Sequence, residues 1–325
     1  MCRDSSTTKR LVTSASVVLI ISALCWMFTT PASIVITRQE IVEVPCNSSH
    51  RENELRERYL TTIVRSITGY AIKTPGTILT PRVFAPKARE LGADWPEFGV
   101  TMVGILRSQW LWRGLDTVLT NGIEGDFVET GTWRGGSSIL ARAVINTHPA
   151  GENGRLVWVC DSFEGLPKAT TNKDDDSWSK MTFLSVSLEE VRDNFAMFDV
   201  LNDTQLRFVK GFFQQTMPLL KTNAELKHIA FLRMDGDMYE STTDVLYNLW
   251  NKVSVGGVIL VDDWTIHFCR HAIEDFFAAH ARTRPDCKMI DTMSCYFIKT
   301  EAFPVSDAIY ATFMSTRKSG DKPGS

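Results

Sequence analysis

The sequence has little of what marks several common protein classes. Only 7 of its 325 residues are cysteine and no two of them form a CxxC pair, so a thiolate zinc site, a CxxC redox motif or a disulfide-dense scaffold is not expected. The net charge is -3 at pH 7, and nucleic-acid-binding domains are usually basic, so no nucleic-acid partner is predicted. No GxGxxG segment occurs, which excludes the usual dinucleotide-binding fingerprint of dehydrogenases.

The composition is that of a folded protein. Apolar residues make up 44% of the chain and charged residues 22%, which is enough to build a hydrophobic core and excludes a disordered or collagen-like chain. The length allows one large domain or two small ones.

A long uncharged run near the amino terminus predicts a membrane segment. It extends from Leu11 to Thr37, and about 20 apolar residues cross a hydrocarbon core of about 30 Å. Basic residues precede it, so the positive-inside rule places the first residues in the cytosol and the rest across the membrane. We expect a cytosolic tail at 1–10 and a signal anchor at 11–30, which makes a single-pass type II membrane protein. A signal peptide cleaved near Ala32 is the alternative.

The expected location of the folded part is the lumen of the Golgi or endoplasmic reticulum, because the short span suits a thin early secretory membrane. Glycosylation sequons begin at Asn47 and Asn202, in agreement with a luminal glycoprotein. Five cysteines follow the anchor. An odd number leaves at least one free or intermolecular, and Cys46 is the natural candidate. The alternative is that all five are reduced.

The remaining chain divides by composition. Residues 31–75 predict a stem with a charged, helical segment, residues 76–312 a globular domain, and residues 313–325 a disordered tail.

Within the domain, short apolar strands alternate with helices, which predicts an α/β fold with a mostly parallel sheet. The last two strands are separated by two residues, too few for a parallel crossover, so the sheet should end in an antiparallel hairpin. The predicted strands are 126–130, 155–160, 206–210, 229–235, 256–263, 288–291 and 294–300.

A Gly-rich turn follows the first strand, as Glu129-Thr130-Gly131-Thr132-Trp133-Arg134-Gly135-Gly136. Glycines and a helix amino terminus let the backbone approach a ligand closely. Glu129 would repel a pyrophosphate but suits a cationic amino acid moiety. Asp161, at the end of the second strand, is placed to accept ribose hydroxyls. The alternative is a tight turn with a capped helix.

Acidic residues end two further strands. Asp235 is the last residue of one predicted strand, and Asp262 with Asp263 ends the next, so these side chains should meet at the rim where ligands bind in open α/β sheets. Oxygen ligands favour Mg²⁺ or Ca²⁺. Asp237 and Glu240 lie alongside, and Glu240 is explained equally well as a helix cap.

Two other groups carry weaker signals. His267 and His271 are four residues apart and could form a metal site on a helix, but a solvated or core face is the better interpretation. Residues 173–176, Lys-Asp-Asp-Asp, suggest a solvated loop that could cover the site.

Several segments recur in the order of a known family. The chain resembles the macrocin O-methyltransferase family of bacterial antibiotic-sugar methyltransferases over about residues 94–299. The segments are FVETGTWRGGSS, CDSFEGLP, SLEEVRDNF, VKGFF, LRMDGDMYEST, VDDW and CRHAIEDF.

The resemblance implies a Rossmann-like class I methyltransferase that uses S-adenosylmethionine and Mg²⁺ to methylate a sugar hydroxyl. Asp235, Asp262 and Asp263 would hold the metal. Asp237 would be the proton acceptor, because Met238 stands where some members have a histidine. The cofactor would be surrounded by Thr101, Met102, Glu129, Thr130, Gly131, Thr132, Trp133, Asp161, Ser162, Phe163, Glu164, Gly165, Ser187, Gly211, Phe212 and Asp235.

We therefore expect an anchored, lumen-facing enzyme whose acceptor is a glycan or a glycosylated metabolite. A homo-oligomer is compatible with this expectation. A methyltransferase for small, catechol-like phenols would use similar metal chemistry and is one alternative. A degenerate fold that only binds a ligand is the other, although a scaffold without activity has no need of three clustered acids.

Overall fold

Strands and helices alternate along the chain in the computed structural model, which describes residues 48–77, 83–150, 154–174 and 176–317. The strands are β1 (Asp126–Thr130), β2 (Val157–Asp161), β3 (Leu206–Lys210), β4 (Ile229–Met234), β5 (Val253–Val261), β6 (Lys288–Met289) and β7 (Cys295–Ile298). The helices are α1 (Ser48–Ile67), α2 (Pro86–Glu90), α3 (Ile105–Thr120), α4 (Gly136–Thr147), α5 (Leu188–Met197), α6 (Phe213–Thr222), α7 (Tyr239–Leu249), α8 (His267–Ala279) and α9 (Asp307–Thr316).

The strands form a seven-stranded sheet in the order β3-β2-β1-β4-β5-β7-β6. The first five strands are parallel, whereas β7 runs antiparallel to both β5 and β6. This confirms the predicted α/β sheet with a final antiparallel hairpin. The order of the strands reverses between β1 and β4, so the loops after β1 and β4 diverge there and open a crevice for a ligand.

The central strands present alternate residues to two hydrophobic layers, as the two-residue period of a strand requires. Phe127 and Phe231 pack with α1, α3, α4 and α5. Val128 and Leu232 pack with α6, α7 and α8 on the opposite face. The central strands are therefore covered on both sides, and polar side chains at their carboxyl ends border the crevice.

Helix α1 belongs to the folded body, although the sequence analysis placed its residues in a stem over 31–75. Leu60 and Ile67 are fully buried in the first hydrophobic layer. Arg56 pairs with Asp116 of α3 at 2.5 Å and donates a hydrogen bond to Thr147 of α4. The charged segment thus has an apolar stripe, spaced at three and four residues, that packs on the sheet's helical layer.

The carboxyl-terminal boundary also differs from the prediction. Helix α9 continues to Thr316, and Arg317 pairs with Asp244 at 2.9 Å. The predicted tail at 313–325 therefore begins inside an ordered helix, and its last residues, 318–325, lie outside the described part.

A disulfide joins Cys287 to Cys295, while Cys160 and Cys269 are buried free thiols. Cys46 lies outside the described residues. So does the predicted anchor at 11–30, and no helix in the described part of the chain is long and apolar enough to cross a membrane.

Candidate active site

A crevice lies at the carboxyl ends of β1, β2, β4 and β5. Its position agrees with the general location of ligand sites in open α/β sheets. Most of the predicted cofactor and metal residues line it: Thr101, Met102, Gly131, Thr132, Trp133, Asp161, Ser162, Gly165, Phe212, Asp235, Asp237, Asp262 and Asp263.

The Gly-rich turn brings β1 against the end of β4. Gly131 has a φ of 91°, and a Cβ atom there would lie 1.6 Å from the backbone oxygen of Asp235. The glycine is therefore required by the neighbouring strand as well as by any ligand. Trp133 has a left-handed φ of 49°, a conformation that is strained for a bulky residue and is found most often at functional sites.

Asp161 connects the turn after β1 with the turn after β2. Its Oδ2 accepts a hydrogen bond from the Thr132 backbone N–H at 2.7 Å, and its Oδ1 accepts one from the Phe163 N–H at 2.8 Å. Burial raises the pKa of Asp161, although these N–H donors lower it. Oδ1 also accepts the Ser162 hydroxyl at the longer distance of 3.3 Å, and the Trp133 backbone N–H is a further donor that lowers the pKa. Most acceptor positions of this carboxylate are therefore used to hold the two turns.

The other predicted cofactor residues stand behind or beside the crevice. Glu129 is completely buried and accepts hydrogen bonds from Thr132 and Ser138. Thr130 and Phe163 are buried, and Glu164 pairs with Lys210 at 3.6 Å. Ser187 is the N-cap of α5, and Gly211 donates its backbone N–H to the Asp161 carbonyl. These residues shape the turns that border the crevice.

Arg233 of β4 is the centre of a buried ionic network that the sequence analysis missed. Its guanidinium donates to Glu129 at 2.7 Å, to Asp235 at 2.8 Å and to Asp262 at 2.5 Å. Burial alone would lower the pKa of Arg233, but Asp235, Asp262 and Glu129 raise it well above its usual value. An arginine inside an otherwise apolar strand, two residues before Asp235, was the available signal.

Arg107 of α3 extends this network and was also missed. It donates to the second oxygen of Asp262, and its Nε donates to Asp291 at 2.8 Å. Both Asp262 oxygens therefore have an arginine donor. The partners of Arg107 are 155 and 184 residues away in sequence, so no local pattern could have revealed them.

Three carboxyl groups converge at the rim of the crevice. Oxygen atoms of Asp235, Asp237 and Asp263 lie within 4.8 Å of one another, whereas the predicted ligand Asp262 lies outside this group. Burial raises the pKa of Asp235 to about 7. Burial, and then the neighbouring acids, raise the pKa values of Asp237 and Asp263 well above the usual range. Asp237 also has a left-handed φ of 56°.

This donor set suits a hard divalent cation. Mg²⁺ binds oxygen ligands at about 2.1 Å, so opposite ligands in its octahedron are about 4.2 Å apart, which is compatible with the spacing of the three acids. The imbalance of acids over arginines points the same way. Arg107 and Arg233 pair with Glu129, Asp235, Asp262 and Asp291, whereas Asp237 and Asp263, which join Asp235 in the acidic group, have no arginine partner among the described residues.

Aromatic and apolar side chains form the outer wall. Trp95, Trp133 and Trp178 border the crevice together with Ile266 and Met293. Trp133 donates its indole N–H to the Phe183 carbonyl at 3.0 Å, which fixes the ring. Flat rings of this kind can pack against the face of an acceptor molecule.

The segment after β2 is attached to the first turn of α7. Glu240 accepts hydrogen bonds from Thr170 and Thr171, and Asp174 accepts the Tyr239 and Glu240 N–H groups at 2.7 and 2.9 Å. Asp174 therefore caps α7, although it belongs to the segment that was predicted to be a solvated loop.

The two histidines of α8 lie on a solvent-exposed face of the helix. His267 and His271 are exposed, and their rings are 5.7 Å apart. Among the described residues, the acids above are the group whose spacing suits a metal.

The sheet order, the turn after β1 and the acids after β4 and β5 together define an O-methyltransferase with the class I fold, the fold of enzymes that use S-adenosylmethionine. Comparison with known proteins leads to the particular family. The Macrocin-O-methyltransferase (TylF) family pattern matches residues 36–299, so the chain belongs to this family. The match starts upstream of the expected residue 94 and includes α1, which agrees with the packing of that helix.

Curated relatives are bacterial O-methyltransferases. One relative is the "8-demethyl-8-(2,3-dimethoxy-alpha-L-rhamnosyl)-tetracenomycin-C 4'-O-methyltransferase" of Streptomyces olivaceus, with 43% identity over 202 residues. The aligned region covers 61% of this chain and 75% of the relative. It is 35% identical over 237 residues, 69% of its length, to 89% of the "Mycinamicin III 3''-O-methyltransferase" of Micromonospora griseorubida.

Solved structures agree with the assignment. The O-methyltransferase NovP is 36% identical with a TM-score of 0.68, over 76% of this chain and 100% of NovP. The calicheamicin methyltransferase CalS11 has 17% identity and a TM-score of 0.50, over 59% of this chain and 77% of its own, and shows the fold alone.

Proposed function

We propose that this chain methylates a sugar hydroxyl with the methyl group of S-adenosylmethionine, assisted by a divalent cation. Mg²⁺ is the cation that we favour. The observation that carries the proposal is the position of Asp235, Asp237 and Asp263 at the rim of the crevice that the Gly-rich turn also borders. One cavity would then combine a nucleoside-binding half with a cation-binding half. The name of the tetracenomycin relative specifies a rhamnosyl group, which supports a sugar as the acceptor.

The turns after β1 and β2 would hold the cofactor. S-adenosylmethionine, when bound, supplies an electrophilic methyl group. Asp161 would fix the two turns around the nucleoside through the Thr132 and Phe163 N–H groups, and a ribose hydroxyl would reach its Oδ1 in place of the long Ser162 contact at 3.3 Å. Thr101 and Met102 border the same part of the crevice and would exclude water from the bound nucleoside.

The acids after β4 and β5 would hold the cation and receive the proton. A divalent cation, when bound, polarises a hydroxyl oxygen and lowers its pKa. Asp235 and Asp263 are the ligands that the geometry favours. Asp262 remains a proposed third ligand, because each of its oxygens has one arginine donor and can accept a second contact. Asp237 would take the proton of the acceptor hydroxyl, and its strained backbone supports a functional role.

The acceptor would lie against the aromatic wall. Trp178 and Trp95 border the crevice on the side open to solvent, where a sugar ring could stack on an indole. Positioning of the hydroxyl toward the methyl group would contribute much of the rate enhancement.

Several observations support a luminal location of the enzyme. The uncharged run over 11–37 is long enough for a signal anchor. The Cys287–Cys295 disulfide is typical of oxidising compartments. Asn202, the first residue of a sequon, is exposed. We therefore propose a single-pass protein of the Golgi or endoplasmic reticulum with its catalytic domain in the lumen.

The activity can be tested with the full chain, S-adenosylmethionine, Mg²⁺ and a panel of glycans and free sugars, with small phenols as the comparison set. Asp237→Asn should lower kcat by about 10²–10⁴, the usual contribution of a general base, and should leave S-adenosylhomocysteine binding unchanged. The matched control is Asp193→Asn, which alters an exposed acid of α5. Full activity of Asp237→Asn, or methylation of phenols alone, would contradict the proposal.

The location has its own test. In microsomes from cells that express the chain, the domain should resist added protease until detergent is present. Removal of N-glycans should increase its mobility, and Asn202→Gln should reduce that change. Digestion without detergent would exclude a luminal domain.

A further inference from the structure

The segment from Cys287 to Cys295, here called the disulfide loop, contains β6 and the turn to β7. Strand β6 has two residues and lies at the edge of the sheet, and so short a strand gives a hairpin little stability of its own. The disulfide closes the hairpin beside the Met289–Cys295 strand pair. The covalent bond therefore holds the turn, residues 290–294, at a fixed place.

Asp291, in this turn, is oriented by the loop itself. Its Oδ1 accepts the backbone N–H groups of Met293 and Ser294, both at 2.8 Å, and the Ser294 hydroxyl at 3.0 Å. Its Oδ2 remains for Arg107, whose Nε donates to it at 2.8 Å. The Asp291 side chain is 1% exposed, so water does not compete for these contacts.

Arg107 carries the contact onward to the active site. Its side chain is buried and donates to Asp262 through Nη1, so one guanidinium joins the disulfide loop to the end of β5. The loop also touches this region directly, because the Thr265 N–H donates to the Met293 carbonyl at 3.1 Å and the Met293 side chain borders the crevice. The loop thus meets the segment that follows Asp263 as well as the crevice wall.

We propose that the disulfide loop is a positioning element for the cation-binding acids, with Asp291 as its positioning residue. Asp291 fixes the place of Arg107, and Arg107 fixes the orientation of Asp262 next to the ligand Asp263. Without Asp291, Arg107 keeps only Asp262 as a carboxylate partner, so the contact at Asp262 Oδ2 loosens while Arg233 still holds Oδ1. Asp262 is then fixed at one oxygen instead of two, and its orientation beside Asp263 is less well defined. This inference rests on the cation site proposed above. The cofactor half should be unaffected, because Asp161 and the Gly-rich turn are held by contacts of their own.

The test measures the Mg²⁺ dissociation constant of the full chain by calorimetry, with S-adenosylhomocysteine saturating. Asp291→Asn should weaken Mg²⁺ binding about tenfold, as is usual for residues that orient a metal ligand, and should change S-adenosylhomocysteine affinity less than twofold. The matched control, Asp286→Asn, alters an exposed acid next to the loop and should change neither constant. Peptide mapping without reductant should recover Cys287 linked to Cys295.

A second arm does not depend on the stability of the Asp291 variant. Dithiothreitol should weaken Mg²⁺ binding by the wild-type chain in the same direction, and reoxidation should restore it. The double variant Cys287→Ser/Cys295→Ser should be weak from the start and insensitive to reductant. Unchanged Mg²⁺ affinity in both Asp291→Asn and the reduced chain overturns this inference alone, whereas a wild-type chain that binds no Mg²⁺ overturns the cation site as well.

Discussion

On the β1–β2 side of the crevice, backbone groups fix the positions of the site residues. On the β4–β5 side, ion pairs between charged side chains fix them. Asp161 is fixed by N–H groups of two turns, and Gly131 allows the chain to pass against Asp235. Across the crevice, Arg233 and Arg107 are each shared between carboxylates. The first side depends on the path of the chain and the second on a balance of charge.

The two constructions should fail in different ways. A change on the backbone side should distort one turn and the ligand that it borders. Removing one ion on the charged side leaves several partners buried and uncompensated, which costs more than the pair itself contributes. The following changes test that contrast.

The largest effect is expected for Arg233→Met. This change leaves Glu129, Asp235 and Asp262 without their shared cation, and breaking a buried pair on one side costs about 3–5 kcal/mol. Denaturant unfolding of the variant should show a loss of at least that size. The control is Arg207→Met, which breaks a partly exposed pair with Glu225 and should cost about 1 kcal/mol or less. Equal losses in the two variants would remove the distinction between the two sides.

An intermediate effect is expected for Gly131→Ala. The added Cβ meets a backbone oxygen at 1.6 Å and the φ is 91°, so left-handed strain of about 1–2 kcal/mol combines with overpacking of about 1–3 kcal/mol. Unfolding and S-adenosylhomocysteine binding should both suffer. In the control Gly122→Ala, φ is 64° and no described atom lies within 4 Å of the new Cβ, so only the strain should be measured.

The smallest effect concerns pH and a buried acid–arginine pair outside the crevice, Asp244 of α7 with Arg317. Burial raises the pKa of Asp244 from 3.8 to about 6, although Arg317 and Tyr310 lower it. The folded chain therefore binds this proton more readily than the unfolded chain, and the group's contribution to stability increases as the pH falls from 7 to 5, by about 1 kcal/mol. When the free energy of unfolding is measured at pH 7 and at pH 5, the Asp244→Asn variant should not show this gain in stability. An identical pH dependence in variant and wild type would show that the carboxyl group does not titrate in this range.

The backbone side could be predicted well from the sequence. Strand β1 has the predicted bounds, 126–130, because an apolar run followed by a Gly-rich turn is a local signal. The same reasoning placed Asp161 and the acids after β4 and β5 at one rim, since the carboxyl ends of parallel strands share an edge.

The charged side could be predicted only in part. The sequence showed the acids as clusters. It did not show which acids pair with arginine and which remain for a cation, because Arg107 contacts Asp262 and Asp291 across more than 150 residues. The stem boundary was misplaced for a related reason: the charges of α1 outnumber its apolar stripe, and the burial of Leu60 depends on helices that follow much later.

Helix α1 also has a consequence for the order of events during synthesis. It is synthesised before the helices that cover it, because Arg56 contacts Asp116 and Thr147, which are 60 and 91 residues later. At about 5–20 residues per second, its buried stripe waits roughly 5 to 20 s for its covering helix. During this interval the nascent chain exposes Leu60 and Ile67, and a chaperone that shields short apolar helices should bind there.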